Sequence, residues 1–218
     1  MLKNATQTRI NVAQVHKFGG SSLASAARFS AVADIIQQQD PQHQLWVVVS
    51  APGDTTDALL HIIACADDAA CRDQALSALQ KQLQQLITAA LPAADATEVS
   101  VKLKHWLAEV PDALAQKRYN DVLAIGERLS ATLLSAVLQQ RQLNTIALDA
   151  RDFLRLKQHQ PDVNQSAALL DELIVAGHIH VVTGYIARDE KGRSITLGRN
   201  GSDYSATLVG ALVNAAEV

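Results

Sequence analysis

The sequence predicts an α/β protein built on a mostly parallel sheet, and three observations carry that prediction. Apolar strand-like runs alternate with segments of helical periodicity along most of the chain. Leu45–Val49 is a continuous apolar run, the pattern of a strand buried on both faces of a parallel sheet. Short loops rich in glycine and hydroxyl residues stand between strands and helices. In open α/β sheets such loops gather around one ligand crevice at the carboxyl ends of the strands.

Composition sets the frame. With 218 residues, 48% of them hydrophobic, the chain can bury one large core or two small ones. A net charge of -3 without any basic run points away from a nucleic-acid partner. No apolar run approaches the length of a membrane span, and Met1–Asn11 lacks the apolar core of a signal peptide. Cys65 and Cys71 are too few for a disulfide framework, so the simpler expectation is a pair of reduced thiols in a cytoplasmic setting.

The elements follow in order. Val12–Phe18 reads as the first strand, and it empties into Gly19-Gly20-Ser21-Ser22. Glycines let backbone approach a phosphate closely, and the first-turn amides of a following helix can point at it. Lys17 stands two residues before the glycines, so its ammonium can reach the same spot. A solvated lysine on a plain strand-turn-helix fits this stretch equally well. Leu23–Gln39 reads as a helix with Phe29, Val32, Ala33 and Ile36 on one face, ended by Asp40-Pro41. The strand Leu45–Val49 opens into Ser50-Ala51-Pro52-Gly53-Asp54-Thr55-Thr56, and a helix follows over about 57–66.

A helical hairpin is expected over about 72–116, its second arm started by Thr97 and stopped by Pro111. Its apolar stripes read as core or interface, with no chemistry assigned. Lys117–Gln140 is a helix with two apolar stripes, and Glu127 falls in the middle of one of them. A carboxylate in that position must be paired or aimed at a ligand, because an unpaired buried charge is costly. The pattern leaves a structural ion pair and a ligand contact both open.

Leu143–Leu148, Gln165–Ala176 and His178–Thr183 read as strand, helix and strand. His178 and His180 alternate on one strand face, but no further ligand clusters with them and no metal site is assigned. Tyr185–Arg188 and Arg193–Leu197 flank Asp189-Glu190-Lys191-Gly192, a hairpin turn. The second arm leads to Gly198-Arg199-Asn200-Gly201-Ser202-Asp203, with Ser202 as the expected cap of a last helix. Arg199 offers a planar fork for a carboxylate or phosphate. From this loop alone, a surface arginine beside an ordinary helix cap explains it as well.

Taken together, four stretches resemble the aspartokinases. They are Lys-Phe-Gly-Gly-Ser-Ser at 17–22, Val-Ser-Ala at 49–51 with Thr-Thr-Asp at 55–57, Gly-Glu-Arg-Leu-Ser at 126–130, and Leu-Gly-Arg-Asn-Gly-Ser-Asp-Tyr-Ser-Ala at 197–206. They occur in that family's order across the chain. His16, Asn200 and Leu-Asp-Ala-Arg-Asp-Phe at 148–153 resemble the bifunctional aspartokinase/homoserine dehydrogenases of the methionine-linked type. The resemblance implies the amino-acid kinase fold, a three-layer αβα sandwich, and transfer of phosphate from ATP to the side-chain carboxylate of L-aspartate.

Carried over by position, the resemblance makes Lys17 and Asp203 catalytic. Gly19, Gly20 and Ser21 become phosphate-binding, and Ser50, Thr56, Glu127, Arg199 and Ser202 substrate-binding. Arg199 would clamp the α-carboxylate of aspartate and Glu127 would face its ammonium. Asn200 stands where most of the family has glycine, which bears on the backbone beside Arg199.

The family pattern also implies a truncated chain: residues 1–218 as the substrate lobe, without the nucleotide lobe, the ACT domains or a dehydrogenase. The ATP and Mg2+ site would then lie largely elsewhere, and NADP would belong only to the dehydrogenase part. A homo-oligomer is implied, with the free sheet edge covered by self-association or by the C-terminal segment. A related kinase of another acid, such as acetylglutamate, and a non-catalytic binding module are the rival readings.

Overall fold

The computed structural model describes residues 12–39 and 43–218. The expectations for Met1–Asn11 and Asp40-Pro41 lie outside them. In chain order the elements are β1 (Ala13–Phe18), a 310 turn (Gly20–Leu23), α1 (Ala26–Gln37), β2 (Gln44–Val49), α2 (Thr55–Ala64), α3 (Ala69–Ala90), α4 (Ala93–Ala108), α5 (Val110–Ala115) and α6 (Tyr119–Gln140). There follow β3 (Thr145–Leu148), α7 (Ala150–Phe153), β4 (Arg155–Lys157), β5 (Gln160–Pro161), α8 (Val163–Asp171), β6 (Ile179–Thr183), β7 (Ile186–Asp189), β8 (Ser194–Thr196) and α9 (Gly201–Leu212).

The main sheet has the order β1-β2-β6-β3 with all neighbours parallel, as the apolar run at 45–49 requires. All five residues of that run are buried. Helices cover both faces, giving the expected three-layer αβα arrangement. On one face, α1, α2, α6 and the α3–α4 hairpin enclose a core containing Phe29, Ile62, Leu83, Leu103 and Leu133. On the other, α9 packs on β1 and β2 around Trp46, Phe153, Val182 and Val209. Each core holds one of the two tryptophans. Trp46 stacks on the buried His180 ring at 4.2 Å, and Arg128 lies 4.3 Å over the Trp106 ring.

The free edge of β1 is partly covered by the C-terminal residues. Val15 N–H donates to Glu217 O at 3.0 Å, and Ala216 N–H donates to Ala13 O at 2.9 Å. The C-terminal segment, one of the two covers the sequence allows, thus occupies this edge.

Several boundaries differ from the sequence reading. The helix expected from Leu23 begins at Ala26, where Ser25 Oγ accepts from Arg28 N. The glycine loop therefore leads into a 310 turn rather than directly into the α-helix. The second hairpin arm starts at Ala93, directly after Pro92, because proline at a helix start loses no hydrogen bond. Thr97 is consequently interior, its hydroxyl donating to Ala93 O at 2.8 Å. Ser202 is inside α9, whose cap position is Asn200 at φ 59°. His178 precedes β6 rather than sharing it.

A small second sheet, β5-β4-β7-β8, contains the expected hairpin as β7 and β8, while β4 and β5 go unannounced in the sequence. Cys65 and Cys71, expected as reduced thiols, are joined as a disulfide. The turn between α2 and α3 brings their Cα atoms to 5.6 Å, within reach of such a bond.

Candidate active site

The three loops picked out in the sequence meet at the carboxyl ends of β1, β2 and β6. Backbone bonds stitch the first two loops to each other and to the end of β6. Ser50 N–H donates to Phe18 O at 3.1 Å, Gly53 N–H to Gly20 O at 3.0 Å, and Gly184 N–H to Val49 O at 2.8 Å. Glycine at 20 is what permits this closeness, since a Cβ there would lie 2.7 Å from Ala51 O. Gly126 does the same for α6, where an added Cβ would sit 2.5 Å from that of Ala51. That contact brings the next residue, Glu127, up against the loop.

The result is an open cleft of about 550 Å³. Lys17, Gly20, Ser50, Thr56, Glu127, Arg199, Ser202 and Asp203 line it, so the structure brings together eight of the ten predicted site residues. Gly19 and Ser21 do not line it; Gly19 stands beside the Lys17 side chain, and Ser21 is exposed in the 310 turn. Tyr185 also lines the cleft. Sequence reading missed it as a site residue. It follows β6 with φ 68°, a conformation uncommon for a large side chain, and its N–H is held by Ser205 Oγ at 2.9 Å.

Charges in the cleft are unequally satisfied. Lys17 Nζ pairs with Asp203 Oδ1 at 2.8 Å, both partly open to solvent. Arg199 is exposed on its loop, and no ion pair of it occurs among the described residues.

Glu127 is different. It is 2% exposed, and its Oε1 accepts from Ala51 N at 3.3 Å while its Oε2 has no partner. Burial pushes its carboxyl up from 4.5 to about 8, against the opposing pull of backbone hydrogen bonds. No cation pairs with it among the described residues, which removes the structural ion pair as its explanation. The cleft thus contains a buried acceptor awaiting a donor, an exposed guanidinium, and an ammonium held near two glycines.

A larger cavity, about 830 Å³, lies between α5, the start of α6 and the β7–β8 hairpin. The charges around Arg151 are matched there, whereas Lys117 and Arg188, also in its lining, have no ion pair among the described residues. Arg151 bonds Asp149 at 2.7 Å and Asp121 at 3.1 Å, and Arg118 bonds Asp121 at 2.8 Å. Ser194 Oγ also donates to Asp121. Burial opposes ionisation of Asp121 and Asp149, but these hydrogen bonds and cations win and hold both carboxyls below their ordinary range.

Residues 13–218 match the amino acid kinase family, and the chain belongs to it. It is 39% identical over 215 residues to the bifunctional aspartokinase/homoserine dehydrogenase 2 of Escherichia coli (strain K12), covering 94% of this chain and 26% of that protein. It is 31% identical over 209 residues to the aspartokinase of Chlamydia pneumoniae, covering 94% of this chain and 46% of that one. Among solved structures it resembles E. coli aspartokinase III in complex with lysine and aspartate. That match has a TM-score of 0.80 and 25% identity, and covers 94% of this chain and 48% of the other. The chain therefore spans between a quarter and a half of the length of these relatives.

Proposed function

We propose that this chain carries the aspartate-binding and phosphoryl-receiving part of an aspartokinase, which phosphorylates the side-chain carboxylate of L-aspartate with ATP. The observation that carries the reading is the unpartnered, buried Glu127 facing the same cleft as Arg199. A free α-amino acid presents an ammonium and a carboxylate on one carbon. Glu127 accepts from the ammonium, and Arg199 takes the carboxylate through two parallel N–H donors. Acetylglutamate has an amide in place of the ammonium and would leave Glu127 uncompensated. The names of the relatives favour aspartate on the same side.

The side-chain carboxylate of aspartate is ionised near neutral pH, so the attack needs no general base. One of its oxygens forms the new bond to the γ-phosphorus, the bond from that phosphorus to the bridging oxygen breaks, and ADP leaves with the electron pair. Such a transfer depends on positioning and on neutralising charge at the phosphoryl oxygens. Lys17 supplies that charge, aimed by Asp203. The amides of Gly19 and Gly20 approach the phosphates, and Ser50, Thr56 and Ser202 offer hydroxyls to the substrate. The close approach at Gly20 and the solvent-facing Lys17 ammonium fit a nucleotide's phosphates. Magnesium would arrive with those phosphates. In this reading residues 1–218 act as the substrate lobe.

Calorimetry of the 218-residue chain tests the substrate half. L-aspartate should bind, and N-acetyl-L-aspartate, which lacks the ammonium, should bind at least about tenfold more weakly, near 1.4 kcal/mol. Equal binding of the two, or none of either, would remove Glu127 and Arg199 as an amino-acid clamp.

A further inference from the structure

The end of α2 and the start of α3 assemble a cluster that the proposed reaction does not use. His61 and Cys65 are four residues apart at the end of α2, on one side of the helix. The turn at Ala66–Asp68 then reverses the chain, and Asp68 Oδ1 accepts from Cys71 N at 3.1 Å, fixing Cys71 in the first turn of α3. His61 Nε2, Cys65 Sγ and Cys71 Sγ all lie within 4.8 Å of one another, and the first two are 3.9 Å apart.

The 3.9 Å between His61 Nε2 and Cys65 Sγ suits a cation, and the two sulfurs, bonded to each other in the disulfide, can part to a ligand spacing once that bond is reduced. In a tetrahedral zinc site, bonds of about 2.3 Å to sulfur and about 2.0 Å to nitrogen put ligand atoms roughly 3.5–3.8 Å apart. His61 is exposed, Cys65 buried and Cys71 half-buried, so three ligands come from the protein and a fourth direction opens to solvent. Thiolate and imidazole together select borderline and soft cations over magnesium or calcium. Cys71 also lies where the free amides of a helix start favour negative charge on sulfur.

We propose that His61, Cys65 and Cys71, with the disulfide reduced, form a three-ligand site for a zinc-class cation with water in the fourth position. The two states exclude each other, because each sulfur binds either the other sulfur or the metal. A dithiol reductant supplies the two electrons and two protons that open the bond and itself becomes a disulfide. Metal binding then displaces both thiol protons to solvent. The site is independent of the aspartokinase reading. Helix α2 connects the two, since Thr56 in its first turn lines the cleft and the cluster lies at its other end, roughly 15 Å along the axis.

The test uses the 218-residue chain, reduced with a dithiol that is then removed under anaerobic conditions, and titrated with cobalt(II). One equivalent should bind with thiolate-to-cobalt charge-transfer absorption, zinc should displace it, and the unreduced protein should bind none. Cys71→Ser should abolish the absorption, with a melting curve checking that it remains folded. His61→Ala should weaken cobalt binding at least about tenfold. Reduced wild-type protein with two free thiols and no absorption would overturn the site, as would absorption that survives Cys71→Ser. Unchanged cobalt affinity in His61→Ala would overturn the three-ligand set.

Discussion

Two buried ionisable side chains, Glu127 on α6 and Arg151 on α7, stand beside two cavities in opposite states. Arg151 has its carboxylate partners in place: Asp149 and Asp121 flank it, and Ser194 accepts a further bond at 3.1 Å. Glu127 accepts from the backbone N–H of Ala51 and has no cation among the described residues. Their surroundings differ in size in the other direction, about 830 Å³ around the matched network and about 550 Å³ around the unmatched carboxylate. Volume therefore does not pick out the proposed site here, whereas unfinished electrostatics does. A saturated network fixes α6, α7 and the β7–β8 hairpin to one another, whereas an unsatisfied carboxylate keeps a cost that only a ligand can relieve.

Removing Arg151 breaks the matched side of this comparison. Arg151→Ala leaves Asp149 without its closest cation and Asp121 with Arg118 alone, and should lower stability by about 3–5 kcal/mol, a melting point roughly 10 °C lower. A thermal scan within a degree or two of wild type would mean that the network is incidental.

Lys17→Ala probes the other side. In an active enzyme carrying these residues, turnover should fall at least about 100-fold, near 3 kcal/mol of transition-state stabilisation. The Michaelis constant for aspartate should move much less, because the ammonium acts where charge develops. Steady-state kinetics that show normal turnover would take Lys17 out of the mechanism.

Glu127→Gln sharpens the contrast, since it keeps the shape and removes the unsatisfied acid. Stability should be unchanged or slightly higher, while aspartate binding should weaken by roughly 10- to 100-fold, about 1.4–2.7 kcal/mol. A variant that unfolds while its residual folded fraction binds aspartate normally would return Glu127 to a structural role.

The smallest effect is one of protons. With its folded value raised to about 8 from 4.5, Glu127 holds a proton that the unfolded chain releases. Its contribution to stability is therefore fully present below about 4.5, where both states are protonated, and is lost as pH rises from about 4.5 to about 8. Aspartate's ammonium needs the ionised form, so binding near pH 7 should release up to one proton per aspartate. Calorimetry in two buffers of different ionisation enthalpy reads this directly, and an equal heat in both would refute it.

Much of this arrangement is legible in the sequence where residue types repeat or alternate. The apolar run at 45–49, the stripes Phe29-Val32-Ala33-Ile36 and Leu79-Leu83-Ile87, and the buried position of Glu127 follow from period alone. The family likeness adds Lys17, Arg199 and Asp203, exposed or partly exposed residues whose place no period could give. What escapes is set by contacts distant in sequence or by isolated backbone states. Strands β4 and β5 have three and two residues, joined through Gln158 and His159 at positive φ, too short for alternation to register. Tyr185 enters the cleft just after β6 ends at Thr183, past Gly184, where an added Cβ would meet Ser202 at 2.8 Å. The pairing of Cys65 with Cys71 depends on the angle at which α3 leaves α2, which no local pattern encodes.

The two tryptophans lie on opposite faces of the main sheet, and this gives the protein a pair of built-in optical reporters. Trp46 is fully buried and stacked on His180, while Trp106 lies under the Arg128 guanidinium at the helical side. Replacing either by phenylalanine leaves a single emitter for one core. If the sheet couples both layers into one cooperative unit, the two single-tryptophan variants will lose native emission at the same denaturant concentration once their own stability differences are subtracted. If the helical layer can open by itself, the Trp106 signal will depart first, and the order of the two transitions will give the sequence in which the sandwich comes apart.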